Sequence, residues 1–313
     1  MDPNNRIGRR LNLRDLNIFL VVAENHSMSK AAAQLAISQP VVSKAVADLE
    51  HTLGVTLLDR KPRGVEPTLY GRALIQRGIA VFDELRQSVE DIKFLADPTA
   101  GEVRVGATTP LAAGIVPAAA DALVRRHPRV FIEVVEGDFA ILLRSLRSRD
   151  IDLLIGRAPG PMTEEDIASD VLFDDRLLVV AGSRSKWARR QKIKLSELLD
   201  EPWVLPAPGT VGATIVAEVF HAMGLKHPRA AIAASSMAVH IHLLVAGHFL
   251  ALLPASTVFL SARQQPLKAL PVVLLDQRRP IVVATLKKRT PNPVASLFIE
   301  SARAVARSSM KGR

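Results

Sequence analysis

The sequence predicts an α/β chain in three blocks: an all-helical N-terminal block carrying a small hairpin, one long helix, and a two-lobed α/β remainder. Three observations carry that expectation. Apolar residues recur at helical spacing up to about residue 68 and at heptad spacing to about residue 97; beyond residue 102, short apolar runs alternate with helix-length segments. The chain has 313 residues, 48% of them hydrophobic, which is more than one core usually accommodates. The expected division is 11–68, 69–97 and 102–305, the last split into lobe I (102–162 and 267–305) and lobe II (163–266).

In the first block, Leu16, Phe19, Leu20 and Ala23 fall on one helical face. A short Ala-rich helix follows over residues 30–36, with Ser29 placed to cap it. Ile37-Ser38 makes a tight turn, and Ser38 is the expected cap of a third helix with Pro40 in its first turn. Proline is tolerated there because its missing N–H would have no intrahelical partner. Val42, Val46 and Leu49 give this helix one buried stripe. After Gly54, an apolar run at 55–58, the basic turn Arg60-Lys61-Pro62-Arg63-Gly64 and a return at Val65 read as a small β-wing.

Thr68 is placed to cap the long helix. Ile75, Phe82, Val89 and Ala96 are spaced by seven, and Gly78, Leu85 and Ile92 sit three residues after the first three, an a/d heptad. Such a stripe serves either to pair two chains or to pack the helix on its own domain. The acidic remainder of the helix favours pairing, with Ile75, Gly78, Phe82, Leu85, Val89 and Ile92 as the dimerisation seam. Asp97-Pro98 breaks the helix and Thr99-Ala100-Gly101 forms a hinge.

Strands at 103–107, 130–136 and 152–156 enclose helices at 111–126 and 139–148. A similar alternation recurs: strands at 203–205, 230–234 and 249–253 with helices at 210–223 and up to residue 246. The chain then returns to the first lobe near Pro266, with a last strand at 281–286 and a last helix from about Pro293. Mainly parallel sheets with a ligand cleft between the lobes follow from that layout.

The net charge of +10 raises the question of a polyanionic partner. Yet residues 78–97 are net acidic and much of the excess lies beyond residue 97, so charge does not localise such a contact. There is no cysteine, so disulfides and thiolate metal sites are excluded and a reducing, cytoplasmic setting suits the chain. Neither an export signal nor a membrane span is read from the sequence. No nucleophile elbow, phosphate-binding loop, zinc-protease sequence or dinucleotide fingerprint occurs, so neither enzyme nor cofactor is expected. A transport binding protein would leave the N-terminal block unexplained. His221, His227, His240, His242 and His248 cluster in sequence, but His240 and His242 are two apart in a helix and point to different faces. No metal site is expected, and Trp187 and Trp203 read as packing residues.

Two helices joined by a tight turn, the second opening Ser38-Gln39-Pro40-Val41-Val42-Ser43-Lys44, have the form of a helix-turn-helix. Gln39 and Ser43 share a face and suit base edges, Pro40 suits a thymine methyl, and Lys44, Arg60 and Arg63 suit phosphates. Spacing alone serves equally well for an ordinary solvated face.

The stretch 13–71 resembles the DNA-binding domain of LysR-type transcriptional regulators. The matching residues are Leu16-x-x-Phe19, Ser27-Met28-Ser29-Lys30-Ala31-Ala32, Leu35-x-x-Ser38-Gln39, Val42-Ser43-Lys44, Leu49-Glu50, Leu53-Gly54, Leu57-Leu58-x-Arg60, Arg63-Gly64 and Thr68-x-x-Gly71. The chain departs from the common pattern at Glu66 and Pro67-Thr68-Leu69-Tyr70. The resemblance implies a winged helix-turn-helix, a linker helix that dimerises, and an effector domain similar to type 2 periplasmic binding proteins. It implies a regulator that binds an interrupted inverted repeat in double-stranded DNA through Ser29, Lys30, Ser38, Gln39, Pro40, Val41, Ser43, Lys44, Arg60 and Arg63. Control by a small organic acid, homodimers assembling into homotetramers, and RNA polymerase as a further partner complete that expectation. For the effector, the resemblance points to Thr108, Thr109, Pro110, Gly209, Thr210, Ser235, Ser236 and Met237. Each of these loops opens a helix, where free N–H groups favour an anion. Thr108, Thr210 and Ser236 serve equally as plain helix caps. Phe139 and Met237 read first as core and second as apolar wall.

Overall fold

The computed structural model describes residues 11–62, 64–158, 160, 162–261, 265–275 and 278–310. They fall into two compact units, divided between Ser88 and Val89.

In the first unit, α1 (Leu13–Asn25), α2 (Met28–Gln34) and α3 (Gln39–Leu53) precede a hairpin of β1 (Leu58–Lys61) and β2 (Gly64–Pro67), and α4 (Leu69–Ala96) begins there. Leu16, Phe19, Val22, Val42, Val46 and Leu49 close one core. Ser27, rather than Ser29, caps α2: its backbone is extended and its hydroxyl accepts from the Lys30 N–H at 3.3 Å. The helix accordingly starts and ends two residues earlier than the sequence suggests. The turn into α3 is a Schellman closure, in which Ala36 N–H reaches Ala33 O (3.2 Å) and Ile37 N–H reaches Ala32 O (3.0 Å). Its left-handed position, usually glycine, is held by Ala36 at φ 53°. Ser38 stands at the N-cap of α3 as expected, with Pro40 in the first turn, but its side chain makes no capping hydrogen bond.

The wing is fastened at two points. Glu50 of α3 accepts from the Leu57 and Leu58 N–H groups at 2.7 and 3.2 Å, and His26 O accepts from Val65 N–H at 3.0 Å. Gly64 makes the second contact possible: at φ +139°, a Cβ there would stand 2.2 Å from His26 O. Arg60 and Lys61 belong to the strand, Lys61 pairing with Gly64, so the turn is shorter than the basic stretch suggests. Arg63 lies outside the described residues. Thr68 caps α4, accepting from Gly71 N–H at 3.0 Å while donating to Thr56 O at 2.7 Å. At Gly71 the helix passes so close to the wing that a Cβ would lie 2.1 Å from Leu57 O.

The heptad of α4 divides. Ile75 and Phe82 pack, half-buried, on the helix-turn-helix core, and Gly78 sits against Leu16 and Leu20. Leu85, Val89 and Ile92 are 44%, 49% and 67% exposed. Val81 and Leu95 are exposed too, so the open apolar face carries Leu85, Val89 and Ile92 of the expected row with Val81 and Leu95 beside them.

The second unit contains two five-stranded sheets. Lobe I holds β3 (Ala100–Ala107), α5 (Thr109–Ala112), α6 (Ile115–Arg126), β4 (Arg129–Glu136), α7 (Phe139–Arg147), β5 (Leu153–Arg157) and β6 (Ile167–Asp175). Lobe II holds β7 (Leu177–Gly182), β8 (Trp203–Pro206), α8 (Val211–Ala222), β9 (Ala230–Ala234), α9 (Met237–Ala246), β10 (Leu250–Pro254), α10 (Ala255–Ser261) and β11 (Leu267–Ala269). β12 (Arg279–Leu286) and α11 (Pro293–Met310) return to lobe I. The sheet orders are β4-β3-β5-β12-β6 and β11-β7-β10-β8-β9; in each, four strands share one direction and a single strand, β12 or β7, runs against them. Successive residues feed opposite cores: Leu153 and Ile155 enter one and Leu154 the other, as Leu250 and Leu252 oppose Ala251 and Leu253.

Three expectations are corrected here. The helix expected over 111–126 is two, interrupted at Gly114, where α10 packs so closely that a Cβ would stand 3.1 Å from Thr257 Cα. β6 and β7 are additional strands. β6 pairs with β12, and β11 pairs with β7. Lobe I therefore runs to Asp175, beyond residue 162, and is rejoined at Arg279, well after Pro266. Among the described residues no helix is long and apolar enough to cross a membrane.

Candidate functional site

The first candidate surface is the opening of α3 with its surroundings. Ser38, Gln39, Pro40, Val41 and Lys44 are exposed and Ser43 is half-buried, while Val42, Ala45, Val46 and Leu49 hold the opposite side in the core. Ser29 and Lys30, at the start of α2, are exposed beside them, and the Ser29 hydroxyl donates to Gln39 Oε1 at 3.2 Å. That bond uses Oε1 of an exposed Gln39, whose amide N–H groups are donors of the kind suited to a base edge. Arg60 is exposed on the wing. The surface thus offers cations for phosphates from α2, α3 and the wing, and an amide from the first turn of α3.

The second candidate is a cavity of about 550 Å³ between the lobes. Thr108, Thr109 and Pro110 line it from lobe I; Thr210, Ser235, Ser236 and Met237 line it from lobe II. Gly209 does not: it is exposed, in a left-handed turn just before α8. The three capping residues differ. Thr210 is committed to structure, its hydroxyl accepting from Ala213 N–H at 3.2 Å and donating to Ala207 O at 2.7 Å. Thr108 and Ser236 occupy N-cap positions without a side-chain capping bond. Met237 and Phe139 are at once core residues and wall.

Two buried wall residues were not among the sequence candidates. His240 of α9 is 3% exposed, with Nδ1 3.0 Å from Ser236 O; burial pushes its imidazole below the ordinary value of 6.5. Arg157, the last residue of β5, is 8% exposed. Its Nη2 has Asp175 Oδ2 at 4.0 Å and no hydrogen-bond partner among the described residues. Burial pushes this guanidinium below its usual range, against the opposing pull of Asp175. Asp175 is itself satisfied from lobe II, accepting from Ser256 N–H at 3.2 Å and from the Ser256 hydroxyl at 2.6 Å, and burial pushes its carboxyl up. A signal for Arg157 does exist in the sequence. A charged residue closes the apolar run Leu153-Leu154-Ile155-Gly156, at the strand end where open α/β sheets receive ligands.

Of the other candidates, His221, His227, His242 and His248 are exposed, and Trp203 is a packing residue. Trp203 is fully buried, donates to Leu198 O at 2.7 Å and meets Phe220 edge-on. No group of three or more potential metal ligands comes together among the described residues.

These two arrangements match known proteins. Residues 13–72 match the family described as bacterial regulatory helix-turn-helix protein, lysR family, and residues 96–307 match the LysR substrate binding domain. The chain is similar to the HTH-type transcriptional regulator GbpR of Azospirillum brasilense, with 28% identity across 96% of this chain and 89% of that protein. It is also similar to the HTH-type transcriptional regulator PcaQ of Agrobacterium fabrum, at 26% identity over 98% and 99% of the two chains. Among solved structures, a full-length OxyR variant from Pseudomonas aeruginosa shares the fold with a TM-score of 0.69 and 23% identity, covering 97% of this chain and 99% of that one.

Proposed function

This chain belongs to the LysR family of transcriptional regulators, and on that premise we propose that it reads an interrupted inverted repeat under the control of a small organic acid. The coarse function is that of a DNA-binding transcription regulator with an effector-binding domain of periplasmic-binding-protein-like fold. In the proposed reading, Gln39 and Ser43 contact base edges with Pro40 and Val41 beside them. Ser29, Lys30, Ser38, Lys44, Arg60 and Arg63 fix the register on the backbone. The observation that carries this reading is the exposed Gln39, its Oε1 accepting from Ser29 on a face whose other side is core.

Two-fold pairing through the exposed apolar row of α4 would present two such faces to two half-sites, and pairing of dimers would give a tetramer. An acid bound in the cleft between lobes would favour one degree of closure and so shift the spacing of the paired faces and their contact with promoter and RNA polymerase. Thr108 and Ser236, whose hydroxyls are not used in capping, support the cleft as the acid's site. The test is footprinting of the full chain with and without acids. A protected region with two half-sites, altered in extent by one acid, is the expected result; a footprint unchanged by Gln39→Ala, Ser43→Ala and Lys44→Ala would sink the proposed face.

A further inference from the structure

A buried guanidinium is costly unless its donors are used, because the charge gives up water and needs hydrogen bonds in exchange. Arg157 is nine-tenths buried in the cleft wall, and its Nη2 is unbonded among the described residues. The nearby carboxylate answers it by charge but not by a hydrogen bond. Asp175 stands at 4.0 Å, beyond hydrogen-bond reach, and both of its oxygens are occupied by Ser256. Arg279, whose charge bears unfavourably on Arg157, is paired with Glu218 instead. Phe139, Leu177, Leu253 and Ile281 give the same cavity an apolar wall, while Glu136 and Asp138 also line it. A cavity of about 550 Å³ with largely apolar walls and a buried guanidinium whose Nη2 has no hydrogen-bond partner among the described residues has the make-up of a site for a small amphipathic anion.

Resting on the reading of the cleft as an acid-binding site, we infer that Arg157 holds the effector's anionic group. The effector is then a compact organic acid whose apolar body lies along Phe139 and Leu253. This places the discriminating charge on the floor of lobe I and leaves the helix-opening hydroxyls of Thr108 and Ser236 in a secondary, hydrogen-bonding role. A charged hydrogen bond in a water-poor site discriminates strongly against a neutral isostere, which leaves the buried donor unanswered.

The full-length protein is titrated calorimetrically with a panel of acids, including benzoate, succinate and gluconate, each beside its neutral amide. At least one acid is expected to bind, with its amide at least tenfold weaker. Arg157→Met should weaken that acid at least tenfold, Arg157→Lys should restore part of the loss, and Thr108→Ala should cost less than Arg157→Met. Equal binding of acid and amide by the unmodified protein overturns the inference without recourse to any variant. Equal acid binding by folded Arg157→Met and wild type, checked by thermal melting, overturns it while the acid-effector reading stands. Binding of none of the acids to the wild type overturns that reading itself, and the inference with it.

Discussion

On α3 the candidate contact residues lie between Gln39 and Lys44, nearly all exposed, within a stretch whose caps, turn and core stripe are local to it. In the cleft they come from the ends of β3, β5, β8 and β9 and the starts of α5, α8 and α9, and the two residues with most at stake chemically, Arg157 and His240, are buried. A surface meant for a large polyanion works by presenting side chains to solvent. A site meant for a small ligand works by removing side chains from solvent and leaving one need unmet. Substitutions should therefore act at the first site through contacts and at the second through desolvation.

The largest effect expected concerns the wing rather than either set of contacts. Gly71→Ala forces a Cβ onto Leu57 O and should cost about 3 kcal/mol or more, read as a lowered Tm with loss of DNA binding. Next, Gln39→Ala should reduce discrimination between related DNA sites by about 1–3 kcal/mol. Lys44→Ala should instead weaken all sites alike and lower the salt slope by about one. The two cleft threonines should separate further. Thr210→Ala loses a used cap and about 1 kcal/mol of stability, whereas Thr108→Ala leaves Tm nearly unchanged and weakens the acid. Equal behaviour of the two in melting and titration would collapse that distinction.

The pH dependence is smaller and has a definite sign. His240 is held below its ordinary value of 6.5, so as the pH falls through that value the unfolded chain takes up a proton that the folded chain refuses. Stability should decline from about pH 6.5 downward until the folded imidazole itself protonates, and His240→Gln should flatten that part of a Tm–pH curve. The smallest effect belongs to the turn before α3: Ala36→Gly should relieve the left-handed backbone and raise stability by about 0.5–1 kcal/mol, leaving DNA preference unaltered.

The sequence made the first unit legible because its information is short-range. Ser27 to Ser43 encloses two helix caps, a tight turn and a core stripe, and even the error of two residues in α2 exchanges one serine for its neighbour. The second unit was legible where strands alternate with helices, β4 and its charged residues included, while the wholly apolar β7 was missed. β6, with its alternation of Asp170, Asp174 and Asp175 among apolar residues, finds its partner β12 far along the chain, and nothing local announces that pairing. The lobe boundary was displaced for the same reason. In α4 the heptad was visible, but which side of the helix the core takes depends on Leu16 and Leu20, far from it in sequence. Arg157 was missed because its importance lies in what surrounds it: a satisfied Asp175, an apolar wall and no hydrogen-bond partner for Nη2 among the described residues.

Selection of DNA from a random pool by the full-length protein, repeated with Gln39→Ala and Lys44→Ala, tests the central claim most directly. The expected outcome is a sequence with two related half-sites, its preference relaxed at defined positions by Gln39→Ala and kept, at lower affinity, by Lys44→Ala. Enrichment of no sequence, or of the same sequence with unaltered preference in both variants, would contradict the α3 face as the reading surface.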